Sequence, residues 1–309
     1  MDVRHATCLA VLIIASCGDS ADSDTTGSSG AGAGSAAAGT GGSSASTGAA
    51  VGASSASAGG SGTGTAAGGA GGATGCASGK YLLCEDFEST APGSITAGWQ
   101  FPQNSQATPD NVRVADDQAH GGAHALEVDP SLYQTGIVTD GSRLGGAHWG
   151  RIFYRVAVPV PPYFVHTTAV FLHGDGPVNG SEEVRVVGTV QQAEGPHQFL
   201  YNVQPNGAEF GTGSPYDWTF DGMWHCAEWH IDSAVQSYHF YFDGDEVSSI
   251  AIDNGAGNFG GSDIPSSFDQ IFVGWSQYQT PPDGQVMPQR YTVWLDDVAI
   301  GDQRVGCSP

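Results

Sequence analysis

Lysine is almost missing from this chain. Lys80 is the sole example, and nine lysines and arginines face 32 aspartates and glutamates across 309 residues. With the four acidic residues and one arginine before Cys76 set aside, the remainder carries 28 acidic and eight basic side chains, a net of −20. Nucleic acid is excluded as a partner, because its binding needs clustered cations on the phosphates. The same field repels any polyanionic substrate unless local arginines or a metal override it. Long apolar runs are also missing. Leu9-Ala10-Val11-Leu12-Ile13-Ile14 falls far short of the roughly 20 residues a membrane-spanning helix needs. There is no C-x-x-C for a structural zinc site, no H-E-x-x-H for a zinc hydrolase and no EF-hand loop. From Cys76 onward no G-x-S-x-G marks a serine esterase. No internal repeat of roughly 20–50 residues is visible, which argues against a propeller or solenoid.

What is present begins at the amino terminus. Arg4, offset by Asp2, precedes the short apolar run, and the run ends in Ile14-Ala15-Ser16-Cys17. Residues 1–16 read as a secretory signal with a small-residue cleavage site. The box resembles that of bacterial lipoproteins, which implies that Cys17 carries a lipid. The rest of the chain is then expected outside the cytoplasm, held in the cell envelope by that anchor alone. Residues 18–75 are almost wholly Ser, Gly, Ala and Thr, with no aromatic residue and with Asp19, Asp22 and Asp24 as their charges. Such a segment buries too little apolar surface to offset chain entropy. As a Gly/Ser coil it spans on the order of 45 Å. We expect residues 17–75 to be a lipidated tether and residues 76–309 to be one folded domain.

Cys76, Cys84, Cys226 and Cys307 remain in that domain. Four cysteines allow three pairings, and an exported compartment favours oxidation. We expect Cys76–Cys84, closing a short loop at the domain's start, and Cys226–Cys307, tying an interior strand to the last residues.

The domain reads as strands and turns with almost no helical periodicity. Runs at 82–88, 124–128, 152–158, 166–173, 184–190, 198–203, 224–231, 238–242, 246–252, 271–275 and 292–300 are rich in β-branched and aromatic residues. Gly, Pro, Asn206-Gly207 and Asp243-Gly244 punctuate them. This pattern implies an all-β, two-sheet antiparallel jelly-roll sandwich.

Six segments carry a resemblance. They are Cys84-Glu85-Asp86-Phe87-Glu88, Gly122-Ala123-His124-Ala125-Leu126, Trp224 to His230, Phe242-Asp243-Gly244, Val273-Gly274-Trp275 with Tyr278, and Trp294 to Gly301. In this order they resemble a concanavalin A-like jelly roll, and are most similar to the fungal cellulose-induced protein family, whose fold is shared with glucuronan and alginate lyases. The resemblance implies a sandwich whose concave face forms a polysaccharide cleft. It also places Arg185 and Tyr278 in that cleft. Where lyase-like members would hold a histidine, this chain has Glu183.

A uronate lyase must neutralise the sugar carboxylate, remove the C5 proton and return a proton to the leaving O4. Arg185 suits the first task, and His166 and Tyr278 suit the others; these are the catalytic candidates. Tyr201, Asn202, Gln277 and Glu183 are expected to line the same cleft and meet substrate. Strand alternation puts Glu183, Arg185 and Val187 on one face. Trp224, Trp229, Trp275 and Trp294 are expected mainly in the core. Tyr216, Trp218 and Tyr278 are the better sugar platforms. Paired carboxylates recur at both ends of the domain: Asp86 with Glu88, and Asp296 with Asp297. The resemblance sets the first and last strands side by side. These side chains, with carbonyls of the 117–122 loop, would then offer hard oxygen ligands for a structural calcium. No catalytic cofactor is implied. The first reading is a monomeric, tethered polysaccharide-binding module. The alternatives are a uronate-polymer lyase and a structural envelope lipoprotein with no sugar ligand.

Overall fold

A computed structural model describes residues 76, 79–131, 133–175, 182–193, 195–204, 214–253, 263–279 and 291–307. The expected signal, Cys17 and the tether lie outside the described residues, as does Asn206-Gly207. The strands are β1 (Leu83–Glu85), β2 (Val112–Ala115), β3 (Ala125–Val128), β4 (Tyr133–Asp140) and β5 (Ala147–Val156). Next come β6 (Val165–Gly174), β7 (Glu182–Gln191), β8 (Pro196–Gln204), β9 (Trp218–Thr219) and β10 (Trp224–Asp232). The last are β11 (Ser237–Phe242), β12 (Asp245–Glu246), β13 (Gln270–Gln277) and β14 (Val293–Gly301). Among the described residues no helix is long and apolar enough to cross a membrane.

Two sheets result. The larger has eight strands in the order β12-β11-β10-β5-β14-β3-β2, with β1 also on β14. The smaller has six, in the order β4-β13-β6-β7-β8-β9. Their neighbours pair antiparallel throughout. First and last strands are adjacent, with Leu83 opposite Ile300.

The inner faces close on one apolar core. Trp229, Ile152, Tyr238 and Phe240 come from the larger sheet, and Leu172, Phe199, Tyr201 and Val273 from the smaller. Each such side chain contributes roughly 1.5–3 kcal/mol by leaving water. Tyr201 stacks on Tyr238 across the sandwich with ring centroids 3.9 Å apart. The Tyr238 hydroxyl donates to the Val186 carbonyl at 2.9 Å, so its burial leaves no orphaned group.

Both expected disulfides are present. Cys76–Cys84 clips the entry to β1, and Cys226–Cys307 ties β10 to the chain after β14. The Asp243-Gly244 turn forms with both residues at positive φ, 51° and 93°. The strand expected over 246–252 does not continue. After β12 the chain makes a 3-10 turn at Ser248–Ile250. Strands β2 and β4 were not legible in the sequence. Gly136 interrupts β4, and it is required there. A Cβ on Gly136 would lie 2.5 Å from the Val273 carbonyl oxygen and 2.6 Å from the Gly274 Cα.

Candidate functional site

Side chains alternate across a strand, so the residues of β6, β7, β8 and β13 that avoid the core share the outer face of the smaller sheet. In β8, Phe199, Tyr201 and Val203 enter the core. Gln198, Leu200 and Asn202 therefore face outward. Irregularities in β6 near Ala169–Val170 and in β7 near Val186–Val187 place two consecutive residues in the core and shift the parity of the rest of each strand. Val187 thus points inward, not alongside Arg185 as alternation alone implied.

Register then builds the outer face row by row. His166 lies opposite Val190, and Val190 opposite Gln198. The next row runs Ser276, Thr168, Gly188, Leu200. The third runs Phe272, Phe171, Arg185, Asn202, and the fourth His173, Glu183, Gln204. Gly188 carries no side chain at the middle of the second row.

Arg185, Glu183, Tyr278 and His166 come together here, as expected. The Arg185 Nε donates to Glu183 Oε1 at 2.5 Å. The guanidinium lies 4.4 Å from the centre of the Tyr278 ring. The Tyr278 ring sits 5.1 Å from the His166 ring, and its backbone N–H donates to the His166 carbonyl at 3.0 Å. Its hydroxyl donates to Thr168 Oγ1 at 3.4 Å. Burial raises the Tyr278 phenol above its ordinary pKa, against the opposing pull of Arg185. It is therefore protonated at neutral pH and can donate.

Asn202 stands directly across from Arg185. It is 2% exposed, and among the described residues neither its Oδ1 nor its Nδ2 has a hydrogen-bond partner. Gln198, 3% exposed, leaves its Oε1 equally unpaired. Sequence reasoning missed Gln198, Thr168 and Ser276. The signal was available for Gln198, which shares Asn202's face four residues earlier.

Tyr201 and Gln277 are not part of this face. Tyr201 is buried against Tyr238, on the opposite side of β8 from Asn202. Gln277 accepts from the Tyr291 hydroxyl at 2.7 Å and donates to the Gln279 carbonyl at 3.0 Å. Tyr291 also accepts from Trp275 Nε1 at 2.9 Å, which makes this a buried structural network. Trp229 and Trp275 are core residues as expected, at 0% and 2% exposure.

The four carboxylates of the expected calcium site lie elsewhere, where β1 and β14 meet the 120–124 loop. Asp296 Oδ2 accepts the N–H groups of His120 and Gly121 at 2.8 and 3.1 Å. Asp297 Oδ2 lies 2.7 Å from His120 Nδ1. Glu88 Oε1 accepts the N–H groups of Ala123 and His124, both at 2.8 Å. Asp86 accepts the Glu88 N–H at 3.4 Å instead of joining the cluster. The loop presents amides to these carboxylates, not the carbonyls expected. Burial and the neighbouring Asp297 push the Asp296 carboxyl up to about 8. Gly121 and Gly122 have no side chains because Asp297 and Glu88 fill that space: a Cβ would lie 2.8 Å from Asp297 Oδ2 or 2.4 Å from Glu88 Oε1. Among the described residues, no group of three His, Cys, Asp or Glu side chains is arranged to hold a metal ion.

With this geometry set out, solved structures supply a comparison. The cellulose-induced protein Cip1 is similar over 72% of this chain and 99% of its own, at 21% identity and a TM-score of 0.53. The fold is a jelly roll. A variant of alginate lyase Aly36B in complex with alginate tetrasaccharide is similar over 71% of this chain and 96% of its own, at 11% identity and a TM-score of 0.48. No protein-family model matches the sequence, and no curated protein matches it. At 21% identity, the likeness to Cip1 is one of fold alone.

Proposed function

We propose that this protein binds a polysaccharide across the outer face of its six-stranded sheet. The observation that carries this reading is that, among the described residues, neither amide atom of Asn202, across from Arg185, nor the Oε1 of Gln198, on the same face, has a hydrogen-bond partner. An unsatisfied buried polar group costs about 1–3 kcal/mol. Two on one face are accounted for if a ligand completes their hydrogen bonds. Sugar hydroxyls donate and accept, which suits an amide. The Tyr278 ring adds an aromatic surface, and its protonated phenol adds a donor.

The test is a polysaccharide array probed with the full-length chain, followed by titration of whatever it selects. Arg185→Ala should weaken that binding by about 1–3 kcal/mol, the scale of a charged hydrogen bond. An array with no binding would remove this reading in favour of a structural role.

One observation favours a second reading, a polysaccharide lyase. The protonated Tyr278 phenol lies beside Arg185 and His166, the groups a β-elimination would use. Tyr278 would return the proton to the leaving oxygen, His166 would take the C5 proton, and Arg185 would neutralise the carboxylate. Elimination makes a conjugated double bond. Rising ultraviolet absorbance with alginate or glucuronan, lost in Arg185→Ala, would establish it.

The same reading includes Cys17 as a lipid anchor that holds the domain outside the cytoplasm. It also includes a structural calcium between β1 and β14. Asp296 is buried beside the half-buried Asp297, and two side-chain-free glycines lie against Asp297 and the exposed Glu88; Glu88 and Asp297 would be the side chains that hold the cation. The cation would neutralise the pair and fix the loop.

A further inference from the structure

We infer that the glycan taken by this face is neutral, not a uronate polymer. The inference rests on the polysaccharide-binding reading above and names its substrate class. An arginine selects a carboxylate only if its charge is not already answered. Arg185 is answered within its own strand: its Nε donates to Glu183 Oε1 at 2.5 Å. The two side chains share one exposure, 16% and 18%, so the pair is shielded from water together. Its guanidinium is also stacked on Tyr278. A uronate approaching Arg185 meets the Glu183 carboxylate beside it, and like charges brought together repel.

Among the described residues, the remaining charged and titratable groups on these rows do not reverse the balance. His173 Nδ1 lies 3.4 Å from Asp269 Oδ1, which adds another carboxylate. His166 is the other titratable base, and its ring is packed beside Tyr278. Beyond the site, the chain carries a formal charge of −23. That field disfavours a polymer bearing one carboxylate per sugar. What the face offers in quantity is uncharged. Asn202 and Gln198 carry buried, unpaired amide atoms on this side of the sheet, and the buried hydroxyls of Thr168 and Ser276 lie around the Tyr278 phenol, so a sugar reaches them only by displacing what covers them. Amides and hydroxyls match the vicinal hydroxyls of an uncharged pyranose, donor to acceptor and acceptor to donor. In this arrangement Glu183 is the residue that sets specificity. It holds Arg185 in place and rejects acidic sugars.

The experiment compares two probe sets of matched length on the full-length chain. One is neutral: β-linked gluco-, manno- and xylo-oligosaccharides. The other is acidic: alginate and glucuronan oligosaccharides. The wild-type chain should bind a neutral probe at least about tenfold more tightly than any acidic one. Glu183→Gln keeps the side-chain shape and removes the competing carboxylate. It should raise affinity for the acidic probes by about tenfold or more, the scale of a charged hydrogen bond gained. Wild-type preference for the acidic probes overturns the neutral-glycan inference and leaves the polysaccharide reading standing. Binding of neither set overturns both. A Glu183→Gln chain that melts like wild type yet gains nothing for acidic probes overturns the role given to Glu183. The wild-type comparison needs no variant, so a failure of Glu183→Gln to fold leaves that arm decisive.

Discussion

Among the described residues, Asn202 and His197 are buried without side-chain hydrogen-bond partners for opposite reasons, and the face each occupies separates them. Asn202 points away from the core, toward Arg185. His197, 1% exposed, lies on the core side, with both ring nitrogens unpaired and its ring stacked 4.2 Å from Phe220. Burial, with a smaller push from His225, drives the His197 pKa down to about 3. His148 is lowered to about 4, mainly by burial, although it bonds the Gly145 carbonyl at 2.8 Å. Both are neutral in the fold and protonate near 6.5 when unfolded. A folded pKa below the unfolded one means stability is present above about pH 6.5 and is lost as pH falls toward 4. These two histidines should therefore contribute a loss of melting temperature as pH drops through that window, whereas Asp296, raised to about 8, contributes the opposite slope between about pH 4 and 8. His197→Phe removes an orphaned polar group and one of the two acid-sensitive sites. It should raise the melting temperature at pH 7 and flatten the acid slope. A slope identical to wild type would show that His197 does not set it.

At the scale of elements, alternation made part of the candidate site legible and also shows where expectation went astray. Glu183, Arg185, Asn202, Tyr278 and His166 share an outer face, as strand periodicity and the resemblance implied. Tyr201 and Gln277 were expected there too, but each is the sequence neighbour of a residue that does face outward. A strand cannot send Tyr201 and Asn202, or Gln277 and Tyr278, to the same side. The irregularities in β6 and β7 were not legible, because an extra residue leaves no compositional mark. The 120–124 loop's amide-forward orientation was equally hidden, being set by tertiary contact with β14.

Close approach between β5 and β10 gives a prediction. A Cβ on Gly150 would lie 2.0 Å from the fully buried Trp229 ring. Gly150→Ala should destabilise the fold by at least about 1–3 kcal/mol through overpacking, read as a shift in denaturant midpoint. At the junction of β1 and β14, calcium at a hundredfold excess over its dissociation constant would add about 2.7 kcal/mol. A chelator should lower the melting temperature, calcium should restore it, and Asp297→Ala should abolish the response. A melting curve indifferent to chelator would leave these carboxylates as fasteners for the loop alone.

On the scale of the whole molecule, composition and charge narrowed function more than any single motif did. The acidic, lysine-poor composition argued against nucleic acid, and the aromatic-free segment before Cys76 implied a tether. The order of strands and turns made the jelly roll legible, whereas β2 and β4 needed tertiary pairing to be seen. The anchor has its own check. Two or three acyl chains hold a protein firmly at a membrane, whereas one holds it weakly. Cys17→Ser should move the protein from the detergent phase to the aqueous phase or stall its processing, and unchanged partitioning would rule out the lipid.

The central claim is that Asn202 and the polar groups around it on the outer face of the six-stranded sheet are kept for a glycan. Asn202→Leu tests it most directly, because the Asn202 side chain has no hydrogen bond within the described residues to lose, so its loss should cost binding and not stability. Titration of the full-length chain with the array-selected glycan, beside thermal melts, should show binding weakened by about 1–3 kcal/mol while stability holds or rises. A variant that binds as tightly as wild type, or a wild-type chain that binds no glycan, would contradict the account.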